Sequence, residues 1–270
     1  MLSTLNINQN KTMMIFKNKI VEIKYIAIAL ITLIVIIGVM TLDPIAQDLT
    51  YHQFKDQRTL LSLPNFWNIM TSFPFLLVGM AGLYSIFQTR RMRLIPELKI
   101  AYSLFFCGVS LVAFGSGYYH FSPGNETLLW DRLPMTFAFM ALLSILIAEF
   151  ISLRLAQLLL WPLVAFGVFS VFYWHYTEGN GEGDLRLYIL VQFLTLLLIP
   201  LILLFFKSRF TRTSGYWLLL SAYIVAKIFE YFDTAVHNNI LILSGHSLKH
   251  LVAALGIFFL LKSYNNREPI

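Results

Sequence analysis

Long uninterrupted apolar runs, separated by short polar connections, recur along the whole chain. A membrane-spanning helix needs about 20 mostly apolar residues. Eight runs reach or approach that length: roughly 24–42, 66–87, 98–120, 131–150, 154–174, 185–206, 215–237 and 246–263. They are continuously apolar rather than alternating, which predicts helices and not the strands of a barrel. Pro74, Pro162 and Pro200 fall inside these runs and are expected to kink them. Pro134 is placed in a first turn, where proline costs little. The first run follows a basic flank (Lys11, Lys17, Lys19, Lys24), as in a signal peptide. Its apolar stretch is long for that role, and no small-x-small cleavage site follows at Thr41-Leu42-Asp43-Pro44, so a retained anchor is expected.

Composition agrees. Of 270 residues, 58% are hydrophobic and 13% charged, against roughly 25% charged in soluble domains. Too few charges remain to cover a water-facing surface. A disordered, collagen-like, coiled-coil or disulfide-stapled chain is excluded as well, and the single Cys107 permits no intrachain disulfide. The net charge of +6 does not point to nucleic acid, because the charges sit in short loops. With the N-terminus inside, fourteen Lys and Arg residues fall in cytoplasmic segments and four outside, a bias that alternates through all eight spans. The expectation is an all-α polytopic membrane helix bundle of eight spans with both termini cytoplasmic. The acidic, Gly-rich loop 175–184 then lies outside.

Ionisable groups inside a bilayer cost on the order of 2.5–3.5 kcal/mol at a helix centre, so their positions are informative. Ser116 and His120 share a face of the third span by their i, i+4 spacing, with Gly115 and Gly117 permitting close approach. Asp131 opens the fourth span at the same face, where a helix cap is one reading and chemistry another. His246 and His250 open the eighth span at that face, again at i, i+4, a spacing that presents two imidazoles to one metal. His120 supplies a third ligand if spans three and eight touch, and three protein ligands plus an open position are the pattern of catalytic zinc. On the seventh span, Lys227, Glu230, Asp233 and His237 form one polar stripe, read as internal pairing of Lys227 with Glu230 in preference to an ion path. Lys249 is expected to snorkel or to pair with one of these acids. His52, His175 and His237 are expected to be solvated.

In this order, Phe66-Trp67-Asn68 with Ser72, Ser116-x-x-x-His120, Asp131-x-x-Pro134-Met135 and His246-x-x-x-His250 resemble the alkaline ceramidase family, part of a superfamily of seven-helix membrane hydrolases that includes the adiponectin receptors. The resemblance spans about residues 50–263. It implies a seven-helix ceramidase-like domain over 46–265, preceded by residues 1–45, a basic tail and an extra transmembrane helix. It further implies a zinc-dependent amidase cleaving ceramide or a related N-acyl lipid to a free amine and a fatty acid. His120, His246 and His250 would bind zinc. Asp131 would orient or deprotonate the water, and Ser116 would hydrogen-bond the oxyanion or the water. Asn68 would be a polar intramembrane group beside them. The acidic calcium-binding stretch of eukaryotic members is missing: Asn65 stands where they have Glu, and residues 51–58 hold few acids, so no calcium site is expected. The segment resembles bacterial members, which implies an inner membrane with the site toward the periplasm. A membrane lipid is the expected partner, with no nucleic acid and no protein partner evident. Two alternatives remain: a zinc-containing receptor of the adiponectin-receptor type, and a transporter using the Lys227, Glu230 and Asp233 stripe. The three histidines favour an open catalytic position over the first, and no internal repeat supports the second.

Overall fold

The computed structural model describes residues 22–270; Lys11, Lys17 and Lys19 lie outside them. The chain divides after Asp43. Before that point stands one helix, α1 (Glu22–Met40), long and apolar enough to cross a membrane. From Pro44 onward the chain runs through an irregular segment with one 3₁₀ turn, Leu49–His52. Ten helices follow: α2 (Phe66–Met70), α3 (Phe73–Phe87), α4 (Lys99–Phe121), α5 (Asn125–Phe150), α6 (Leu153–Gly179), α7 (Arg186–Ile189), α8 (Thr195–Phe205), α9 (Ser214–Tyr231), α10 (Asp233–Ile240) and α11 (Gly245–Asn266). A π turn, Leu190–Leu194, joins α7 to α8. Among the described residues there is no strand, only the isolated bridges Leu60–Leu63 and Phe210–Pro269.

Among the described residues, seven helical stretches have the length and apolarity to cross a membrane, so the chain is a multi-pass membrane protein built as a helical bundle. The predicted span 215–237 is the exception. There α9 ends at Tyr231, and α10 begins at Asp233. Lys227, Glu230, Asp233 and His237 dilute its apolar character, so it falls short of the other seven. It still packs along α11.

Two prolines behave differently from expectation. The predicted Pro74 kink is a full break, with α2 ending before Thr71 and Pro74 in the first turn of α3. There the missing N–H has no helical partner to lose. Pro134 sits inside α5, because that helix begins at Asn125, well before its apolar run. Asp131 is therefore an interior helix residue and not a cap. Hydrophobicity marks where a helix enters lipid; backbone hydrogen bonding extends further.

The proline inside α5 shapes the site. Lacking an N–H, Pro134 gives no hydrogen bond to the Trp130 carbonyl one turn back. Gly115 of α4 rests against that carbonyl: a Cβ there would lie 2.1 Å from the Trp130 oxygen and 3.2 Å from Asp131 Cα. The two helices meet closely at this point and bring Ser116 beside Asp131. Gly117 faces open space. In the bundle α4 packs between α3 and α5, α5 also touches α6 and α8, and α11 lies against α9 and α3. At the opposite end Glu149 and Arg267, 0% and 2% exposed, pair at 2.6 Å beneath Tyr102 and Tyr216.

Candidate metal centre

His120 ends α4 while His246 and His250 begin α11, and the bundle brings all three together. Their ring centroids lie 5.0, 5.1 and 5.1 Å apart, a nearly equilateral triangle. One nitrogen from each falls within 4.8 Å of the others, and all three side chains are buried. Nδ1 of His120 and Nε2 of His246 are buried without a hydrogen-bond partner. Orphaned buried polar atoms are rare in folded proteins. A bound cation would satisfy these two, so the donor set fits a metal ion.

The surrounding groups hold the rings. Nδ1 of His250 lies 3.2 Å from Thr71 Oγ1 and 3.3 Å from Ser72 Oγ. Both hydroxyls sit in the break between α2 and α3, so the interruption at Pro74 is what aims them at α11. Asn68, fully buried, accepts the Ser247 hydroxyl at 2.7 Å and donates to the Asp56 carbonyl at 3.3 Å. Asp233 accepts the His246 backbone N–H at 2.7 Å and so caps the helix that carries two of the histidines. Asn65, in the left-handed region at φ 48°, donates to the His120 carbonyl at 2.9 Å.

Ser116 and Asp131 line one cavity with His250. The Ser116 hydroxyl is a hydrogen-bonding neighbour of the Asp131 carboxyl and lies 2.9 Å from Ser72 Oγ. The seventh-span stripe resolves into pairs. Lys227 and Lys249 both reach Glu230 at 2.6 Å, while Asp233 turns away to its capping role. His52 is not simply solvated: its ring nitrogens lie 2.9 Å from Tyr119 and from Asn125. His175 faces Glu126 at 3.4 Å.

Sequence reading missed the cover over this centre. Phe54, 4% exposed, places its ring 4.6 Å from that of His120 and 4.7 Å from that of His246. Its signal was a single Phe amid the polar residues 52–58. Two residues further on, Asp56 pairs with Arg58 at 2.5 Å. Burial alone would raise the Asp56 carboxyl, but hydrogen bonds from the Arg58 side chain and backbone outweigh that and hold it below the usual carboxylate range. Thr71 and Ser247 were also unread; single hydroxyls carry no pattern.

The family model described as Ceramidase matches residues 62–265. No curated protein matches the chain significantly.

Proposed function

Because the chain belongs to the ceramidase family, we propose that it is a zinc-dependent membrane amidase, cleaving the amide bond of ceramide or a related N-acyl lipid to a free amine and a fatty acid. The observation that carries the reading is the buried triangle of His120, His246 and His250 beside Asp131 and Ser116. Three neutral imidazoles are a zinc donor set, and three protein ligands rather than four are the number of a catalytic site. When bound, zinc supplies the charge that polarises an amide carbonyl and acidifies water.

The chain's own residues do the rest. Asp131 accepts the proton of the attacking water and returns it to the leaving nitrogen as the C–N bond breaks. Ser116 donates its hydroxyl to the oxygen that gains charge. Thr71 and Ser72 hold the His250 ring, and Asp233 holds the start of α11. An apolar chamber lined by Val109, Leu142, Ile199 and Leu219 adjoins the polar cavity and shares Phe75 and Val112 with it, which suits an acyl chain. The Lys/Arg bias supports a site at the outer face of the membrane, the periplasmic face in a bacterium.

The test is elemental analysis of detergent-purified protein, with ceramide hydrolysis, beside the His246→Ala, His250→Ala double variant. One zinc per chain and amide cleavage, both lost in the variant, are expected. No metal in folded wild-type protein would sink the reading.

A further inference from the structure

The polar cavity beside the triad holds more positive charge than the chain neutralises. Asp131 and Arg132 of α5, Lys227 and Glu230 of α9, and Lys249 of α11 all line it. Lys227 and Lys249 share the single Glu230 carboxylate, each at 2.6 Å. Arg132 has no carboxylate at ion-pair distance among the described residues. It is 8% exposed, with its guanidinium stacked 4.2 Å over the Trp174 ring and 4.9 Å over that of Tyr188. Nη2 donates to Gln47 Oε1 at 2.5 Å, and Nη1 is buried without any partner. Three cations therefore face two carboxylates in this cavity.

A buried guanidinium with an unused N–H is unfavourable unless something binds it. Aromatic stacking offsets part of the lost hydration, but it leaves Nη1 unsatisfied. Guanidinium suits oxyanions, which accept its N–H groups in a fixed fork. Two ammonium groups in the same cavity offer more donors than the two oxygens of a carboxylate use, whereas a phosphate ester presents three terminal oxygens. The walls shared with the apolar chamber, Phe75, Val112 and Met135 among them, suit an anion carried on a lipid rather than a free ion.

We infer that this cavity binds a phosphate-bearing headgroup, so that the substrate is an N-acyl lipid with an anionic head and Arg132 is a specificity-determining ligand of that head. The inference rests on the amidase reading for the cleavage step, and on the cavity alone for binding.

Binding is measured by calorimetry on protein as purified in a neutral maltoside detergent, with hexanoyl ceramide and its 1-phosphate as ligands. The phosphate is expected to bind about tenfold tighter, the value of one charge-assisted hydrogen bond, and Arg132→Gln is expected to bring the two lipids to within about threefold of each other. Equal binding of both lipids by the wild type overturns the inference without recourse to a variant. A preference that survives in folded Arg132→Gln does so too. Inorganic phosphate or hexanoate binding as tightly as the lipid phosphate overturns the assignment to a substrate headgroup. Cleavage of both lipids is followed in parallel. Loss of the preference with cleavage intact removes this inference alone; absence of cleavage with the preference intact removes the amidase reading alone.

Discussion

The Ser72 hydroxyl stands 3.3 Å from Nδ1 of His250, across the break that Pro74 makes in the first core helix. Thr71 shares the duty at 3.2 Å. Groups that bind the far nitrogen of a ligating imidazole fix its tautomer and orientation, and their removal lowers metal affinity by about 10–100-fold. The Thr71→Ala, Ser72→Ala double variant is expected to weaken zinc binding by that factor with helicity unchanged, measured by competition against a chromophoric chelator. Wild-type affinity in the variant would remove the positioning role.

Asp131→Asn keeps the shape of the side chain and abolishes its basicity. The variant is expected to retain its metal and to lose about 10²–10⁴ in kcat, the usual contribution of a positioned proton carrier. Metal analysis and turnover on one preparation separate this from loss of the site. Undiminished turnover would reassign the proton to another group.

Gly115→Ala drives a methyl group into the Trp130 carbonyl, 2.1 Å from where Cβ would sit. Overpacking of this kind costs about 1–3 kcal/mol, so a lower Tm and reduced turnover are expected together, since the same contact sets Ser116 beside Asp131. Gly117→Ala is the control, because its Cβ meets nothing within 4 Å. Equal Tm for the two variants would refute the close approach of α4 and α5.

Arg267→Met strands the Glu149 carboxylate, 0% exposed, with its ion partner gone. Breaking a buried pair from one side costs about 3–5 kcal/mol. The expected result is a large fall in Tm, much of it regained in Glu149→Leu, Arg267→Met, where no charge is left behind. A small effect of the single variant would mean that water reaches Glu149.

The Asp56–Arg58 pair lies in the segment that carries Phe54, and that segment is expected to be acid-sensitive. Its folded pKa lies below the ordinary 3.8, so the pair stabilises the cover above that value and the contribution is lost as pH falls through the lower folded pKa. Hydrogen exchange over residues 52–63 is expected to quicken between pH 5 and pH 3 in the wild type, and to show less pH dependence in Asp56→Asn after correction for intrinsic exchange rates. A parallel response in both proteins would place the acid sensitivity elsewhere.

Apolar runs and charged loops were enough to determine a polytopic helical membrane protein, because lipid leaves no other way to satisfy the backbone of such segments. Side-chain periodicity put His246 with His250 and Ser116 with His120, since i, i+4 is a property of the helix itself. The meeting of the two pairs was legible only as a condition on spans three and eight touching. Where patterning failed, the deciding contacts were long in sequence. The seventh span falls short of the others because charged residues dilute its apolar run, and Asp233 serves the start of α11 rather than its own stripe. Asp131 was placed at a helix start because apolarity was taken for the end of the helix. The cover by Phe54, the hydroxyls of Thr71 and Ser247, and the Arg132 guanidinium without a carboxylate partner became visible only in three dimensions. Lipid and water act on each residue where it stands, so composition along the chain records them; a hydrogen bond or an unsatisfied charge depends on what packing brings within about 3 Å, and that distance is set by the whole bundle at once.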